Sequence, residues 1–298
     1  MLRRLHEVAH ALEAGRPVVA LETSVLAQGL PVPHNATAAD AMTSAVRTAG
    51  AVPALTAVAH GVPTLGLTGP ELARFLARDG VRKIGARDIA PCAAAGADGA
   101  TTVAASLALA HAGGVRVFAT GGIGGVHRGA PFDESGDLVA LARTPLVVTC
   151  AGAKSILDLP ATLERLETLN VAVVGWRTSE LPGFFTRTTG LPVPHRVDDV
   201  GELARLARLH LGLGLPGAIL VVVPPPEATA LAQGEVDAAV GRALAEAEGR
   251  GIRGAALTPF LLGRVVEATE GRSLAANLAL LEQNARLAGE IAVALAHP

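Results

Sequence analysis

Apolar runs and amphipathic stretches take turns along the whole chain. Short runs rich in Val, Ile and Leu predict strands over residues 17–21, 54–58, 64–67, 115–120, 146–150, 171–174 and 218–223, with a brief one over 254–257. Helical spacing of the apolar positions predicts helices over 3–14, 36–49, 70–77, 102–112, 136–142, 155–166, 200–211, 226–248 and 274–296. The predicted strands scarcely alternate between apolar and polar positions, which is the habit of strands covered on both faces. Strands of that kind interleaved with helices predict an α/β fold, an α/β/α sandwich around a mostly parallel sheet. No fixed-period repeat, low-complexity tract or linker interrupts the pattern, so residues 1–298 read as a single domain. In such sheets ligands bind at the carboxyl ends of the strands, so the residues after each strand carry the functional expectation.

Composition narrows the possibilities. Half of the 298 residues are hydrophobic, enough for a sizeable core. A formal net charge of −2 leaves no basic field to collect nucleic acid or anionic lipid. Cys92 and Cys150 are the only cysteines, too few for a disulfide framework, and no histidines at ligand spacing join them in a zinc site. His6 and Glu7 interrupt any signal-like apolar segment at the N-terminus. The most apolar stretch, 217–223, is too short to span a membrane and ends in Pro224-Pro225-Pro226. A cytoplasmic protein with a small-molecule substrate is expected. Of the 25 basic residues, 23 are arginine; the two lysines are Lys83 and Lys154. An amine can lose its proton and attack carbon, whereas a guanidinium stays protonated. The two lysines are therefore candidates for work that only an amine can do, or are chance survivors of an arginine bias.

Several segments place reactive groups where such a fold would use them. Glu22, followed by Thr23 and Ser24, ends the run 18–21; a carboxylate at a buried strand end suits acid/base work, and a solvent-facing one would do nothing. Lys154 follows the run 146–153, and Ser155 with Asp158 reads as a helix start. A helix N-terminus and apolar surroundings would both lower an amine's pKa and make it a nucleophile, unless the side chain snorkels to solvent. Lys83 lies between Arg82 and Arg87, a phosphate site or a solvated face. The stretch Gly121-Gly122-Ile123-Gly124-Gly125-Val126-His127-Arg128-Gly129 could bring backbone amides and charge to an anion, or could be a structural loop; it lacks the ending of a Walker A motif. Asp133, Ser135 and Asp137 offer hard oxygen ligands for Mg²⁺ or Mn²⁺, and equally the residues of a helix cap. Asn277 and Asn284, seven apart, share one face of an Ala/Leu-rich helix.

Taken together, these segments resemble the pseudouridine-5′-phosphate glycosidase family, also described as indigoidine-synthase-A-like. The match is densest over Val117–Gly129, Phe132-Asp133 with Ser135 and Asp137, and Cys150–Asp158. Ala20–Thr23, Gly29–Pro31 and the helix of Asn277 and Asn284 agree as well. The resemblance implies reversible cleavage of the carbon–carbon glycosidic bond of pseudouridine 5′-phosphate to uracil and ribose 5-phosphate through a covalent lysine adduct. It implies Lys154 as nucleophile and Glu22 as acid/base, with Asp133 holding one Mn²⁺ per subunit. Lys83, the backbone at Val103, Ser135, Gly136, Asp137, Asn277 and His127 would contact substrate, and the subunit would form a homotrimer. Between His127-Arg128-Gly129 and Phe132-Asp133 the chain has only Ala130-Pro131, a shorter spacer than is common in the family, which implies a tighter metal loop. Two other readings share the same residues: a Schiff-base aldolase for another phosphosugar, and a noncatalytic sugar-phosphate sensor.

Overall fold

Val-rich segments that bury both faces set the frame. The computed structural model describes residues 2–129, 132–254 and 257–297. Its strands are β1 (Arg3–Arg4), β2 (Val18–Leu21), β3 (Val52–Ala59), β4 (Val62–Leu65), β5 (Val81–Ile84), β6 (Asp98–Thr101), β7 (Val117–Ala119), β8 (Val147–Cys150), β9 (Ala172–Trp176), β10 (His195–Val197) and β11 (Ile219–Val222). Its helices are α1 (His6–Glu13), α2 (His34–Thr48), α3 (Gly69–Ala77), α4 (Ile89–Ala94), α5 (Val103–Ala112), α6 (Gly136–Arg143), α7 (Leu159–Thr168), α8 (Val200–Gly212), α9 (Gln233–Gly249), α10 (Leu257–Ala268) and α11 (Arg272–Ala296).

The main run β3-β2-β7-β8-β11-β9-β10 is parallel throughout. All residues of β2, β7, β8 and β11 are buried, as the unbroken apolar runs require. Helix α11 packs across β2, β7 and β8 with α2 and α8 beside it, while α5 packs with α6, and α6 with α7, in another helical layer. Helix α5 is apolar all round and correspondingly buried. One continuous core extends from Val8 to Ala292. The expected α/β architecture with a mostly parallel sheet is therefore present.

The sheet is not wholly parallel. The first half of β3 pairs with β2, and the second half leaves to pair antiparallel with β4 and β6, which in turn pairs with β5. Hydroxyls stitch this fork: Thr56 Oγ1 lies 2.8 Å from both Thr101 Oγ1 and Ser106 Oγ, and Thr23 Oγ1 donates to Thr56 O at 2.8 Å, all four residues being fully buried. Strands β5 and β6 escaped the pattern because VRKI and DGAT carry too few apolar residues to form a run.

Three helix starts lie three or more residues from expectation, for local reasons. Arg3–Arg4 is a strand rather than helix, because it pairs with Thr64–Leu65 and Arg3 bonds Thr64 Oγ1. The helix expected from 226 begins only at Gln233, after the three prolines and a turn in which Thr229 N–H donates to Pro226 O. The helix expected from 155 begins at Leu159, capped by Asp158, whose Oδ1 accepts from Ala161 N–H at 3.0 Å. The strand expected at 254–257 falls partly outside the described residues, and Leu257 opens α10, which the pattern missed.

Candidate active site

Because β2, β7 and β8 lie side by side and parallel, their carboxyl ends converge. Glu22 follows β2, Thr120 follows β7, and Lys154 stands in the segment 151–158 after β8. That segment is a run of bends and a turn rather than a helix because it ties onto the glycine-rich stretch: Ala151 N–H donates to Gly121 O, Ile123 N–H to Gly152 O, Lys154 N–H to Ile123 O and Asp158 N–H to Val126 O, while Leu157 N–H closes a turn on Lys154 O. These bonds satisfy the backbone groups that a helix would otherwise take up. Lys154 accordingly sits four residues before Asp158, the cap of α7, and the expected helix-dipole effect at its position does not arise from an adjoining helix start. Gly152 permits the turn, with φ 85°.

Glu22, Lys83, Lys154 and Asn277 line one cavity of about 350 Å³, a size suited to a small ligand. Glu22 is 6 % exposed, and both of its oxygens accept hydrogen bonds: Thr120 Oγ1 donates to Oε1, and Ser24 Oγ donates to Oε2 at 2.5 Å. Lys83 enters from β5. Although its side chain keeps contact with solvent, burial among neighbouring groups lowers its ammonium pKa, and the Lys154 charge lowers it further against the opposing pull of Glu22 and Asp137. Asn277 Oδ1 is buried without a partner among the described residues. The remaining wall is largely apolar, with Val25, Leu30, Phe184, Phe185, Leu262 and Val266. The lining thus combines charged groups, Glu22, Arg78, Lys83, Lys154 and Glu267, with apolar and aromatic side chains, a mixture suited to a small, partly charged ligand.

The other expected substrate residues lie nearby but not on this wall. Asp137 is 6 % exposed; its Oδ1 accepts from Ala104 N–H at 3.0 Å and its Oδ2 from Gly124 N–H at 2.8 Å. It thereby joins the start of α5 to the glycine-rich stretch, and the Gly124 amide serves this carboxylate. Ser135 Oγ caps α6 by accepting from Asp137 N–H, Gly136 is exposed at the first position of that helix, and Val103 is buried at the start of α5. His127 Nδ1 lies 3.3 Å from Asp133 Oδ1 in a closed loop where His127 N–H donates to Asp133 O. The Ala130-Pro131 spacer lies outside the described residues. Among the described residues no group of three or more His, Cys, Asp or Glu is placed to hold a metal ion. Arg128 donates to Leu157 O at 3.0 Å and Ser155 O at 3.4 Å, so it braces the lysine segment.

Asn284, the second asparagine of the pair, is fully buried and donates from Nδ2 to Thr120 O at 2.8 Å. Both cysteines are free and buried, and complete burial pushes the Cys150 thiol up to about 12, which leaves it protonated and unreactive beside the lysine segment. No described helix is long and apolar enough to cross a membrane. The pattern did not single out Gln28, Arg78, Phe184, Phe185 or the α10 residues on the wall. The adjacent Phe184-Phe185, in a chain with six phenylalanines and no tyrosine, was the one available signal.

An amine and a buried carboxylate sharing a cavity at the carboxyl ends of a parallel sheet define an α/β enzyme for small, polar substrates. The chain belongs to the family of indigoidine synthase A like proteins, whose model matches residues 7–294. It is 61 % identical to a pseudouridine-5′-phosphate glycosidase of Gemmatimonas aurantiaca, over 98 % of this chain and 96 % of that one. It is 53 % identical to the protein of that name in Myxococcus xanthus, over 99 % and 98 %. Among solved structures, the prealnumycin C-glycosynthase AlnA in complex with ribulose 5-phosphate superposes with a TM-score of 0.92 at 41 % identity, covering 99 % of this chain and 97 % of that one. An indigoidine synthase A like protein of Thermotoga maritima gives 0.91 at 37 %, covering 100 % and 97 %.

Proposed function

We propose that this protein is a pseudouridine-5′-phosphate glycosidase, reversibly cleaving the bond between C1′ of the ribose and C5 of uracil. The observation that carries the reading is the shared cavity of Lys154, Glu22 and Lys83 in a chain closely similar to proteins of that name. The bond has no heteroatom leaving group, so electrons must be supplied at C1′ by the lysine adduct. Lys154 Nζ, as the free amine, bonds C1′ as the C1′–O4′ bond opens and O4′ takes a proton. The nitrogen gives up a proton, and its restored lone pair drives cleavage of C1′–C5 as C5 takes a proton, leaving a protonated imine on Lys154 and free uracil. Water hydrolyses the imine and releases ribose 5-phosphate. Glu22, buried and lining the same cavity as the amine, moves the protons. Lys83 supplies a positive charge for the anionic substrate, and Asn277 Oδ1 offers an acceptor to it.

Asp133, half-exposed with His127 beside it, fits a hydrated hard cation completed by water and substrate oxygens rather than a closed protein cage. In this reading Asp133 holds one Mn²⁺, which when bound supplies charge neutralisation for anionic oxygens. Val103, Ser135, Gly136 and Asp137 shape the neighbouring helix starts for substrate contact, the two reduced thiols accord with a cytoplasmic setting, and the family resemblance supports a homotrimer. The test is uracil release from pseudouridine 5′-phosphate with Mn²⁺, for wild type beside Lys154→Ala and Lys154→Arg. Wild type should turn over, and neither variant should, because the guanidinium keeps the charge and loses the nucleophile. Reduction with borohydride in the presence of ribose 5-phosphate should attach the sugar to Lys154. A folded, metal-loaded wild type without uracil release sinks the substrate; trapping of other phosphosugars would then favour an aldolase, and binding without turnover a sensor.

A further inference from the structure

A general acid/base set among ammonium groups faces a hazard. Glu22 lies close enough to Lys83 for its charge to act on that lysine, and it shares the cavity with Lys154. If its carboxylate turned onto either ammonium, it would become a counter-ion, and Lys154 would be held in the protonated form that cannot attack carbon. Two hydroxyls stand against that collapse. Thr120, 1 % exposed, donates to Glu22 Oε1, and Ser24, 8 % exposed, donates to Oε2. Neither hydroxyl has another partner among the described residues, so holding the carboxylate is what these side chains do.

Thr120 is itself fixed on both sides. Its N–H donates to Thr149 O at 3.0 Å across the sheet, and its carbonyl accepts from Asn284 Nδ2 at 2.8 Å from α11. Thr149 Oγ1 closes the circuit by donating to Asn284 O at 3.0 Å. Thr149 and Asn284 are fully buried, so the circuit is as rigid as the core around it. We propose that Thr120 is the principal positioning residue for Glu22, set in place by Asn284, with Ser24 as the second donor. The inference rests on the glycosidase reading for Glu22's task, but the clamp itself makes a prediction that needs no substrate.

Thr120→Val exchanges the hydroxyl for a methyl of the same size, and Thr120→Ser restores it. Hydrogen bonds to a charged group of this kind make the valine variant's kcat for uracil release about ten- to a hundredfold lower. KM should stay within about twofold and the serine variant should recover most of the rate, a split expected when an orienting bond rather than substrate binding is lost. The substrate-free arm uses the fact that the chain has only two lysines. Trinitrobenzenesulfonate modification of Lys154 or Lys83, followed by peptide mass spectrometry, should slow in Thr120→Val and return in Thr120→Ser, because Glu22 freed from the clamp pairs with an ammonium. Thermal midpoints show whether each variant is folded. A valine variant with wild-type kcat and wild-type lysine reactivity overturns the proposal, as does a folded serine variant as impaired as valine. If wild type releases no uracil but lysine reactivity follows the hydroxyl, the glycosidase reading falls and the clamp stands.

Discussion

An alanine at Gly152 probes how the segment bearing Lys154 is held. Gly152 has φ 85°, and a Cβ built there lies 2.4 Å from Pro182 O and 3.4 Å from Pro182 C. The left-handed backbone costs an L residue about 1–2 kcal/mol. The overlap is with a backbone carbonyl, so no rotamer relieves it, and pushing packed backbone aside costs about 1–3 kcal/mol more. Together these give a loss of about 2–5 kcal/mol, a large share of the stability of an ordinary domain. Any part of the strain relieved by movement shifts Lys154, two residues on, and a misplacement of about 1 Å costs on the order of a hundredfold in rate. Urea unfolding measures the first effect, and kcat for uracil release under conditions where the variant is folded measures the second. A Gly152→Ala protein with the wild-type midpoint and the wild-type kcat would refute both the steric reasoning and the assignment of this turn to the placement of Lys154.

Two further perturbations test the electrostatics. Burial and the Lys154 charge lower the Lys83 pKa, so Lys83 is charged at lower pH and loses its proton below the ordinary lysine value of 10.5. KM for the phosphorylated substrate should therefore rise as the pH climbs toward 10.5, while Lys83→Arg should show a flatter KM and lose less than Lys83→Met; identical profiles for wild type and Lys83→Arg would remove Lys83 from phosphate binding. Burial pushes the Glu71 carboxyl up, but hydrogen bonds from Arg3 and from the Thr68 backbone and hydroxyl outweigh it and leave it at about 2, against an ordinary 4.5. A folded value below the unfolded one stabilises the protein above pH 4.5 and loses that contribution as the pH falls toward 2, at most on the order of 3 kcal/mol. Urea midpoints across that range should fall less steeply for Glu71→Gln than for wild type, and parallel curves would deny the linkage.

How much of this was legible beforehand follows the physics of each signal. The unbroken apolar runs at 18–21, 146–150 and 218–223 determined the buried parallel strands, because nothing but burial on both faces tolerates them. The scarcity of lysine marked Lys83 and Lys154 as candidates for work that an arginine cannot do, and both line the same cavity. Glu22 was marked by its place at a strand end. What lay beyond the sequence depends on strand order. Glu22 and Thr120 are 98 residues apart and meet only because β2 and β7 are neighbours. Local patterns also misplaced the start of α7, since the residues after Lys154 carry helix-start chemistry but find backbone partners in the glycine-rich stretch, which no local window contains. Strands β5 and β6 were invisible for the same reason: their stability comes from pairing with each other and with β3 rather than from their own composition. The sequence by itself determined the layers and marked the candidate groups; the tertiary structure alone decided which of those groups share a cavity, because hydrogen bonds and packing between distant segments, not local propensity, choose a strand's neighbours.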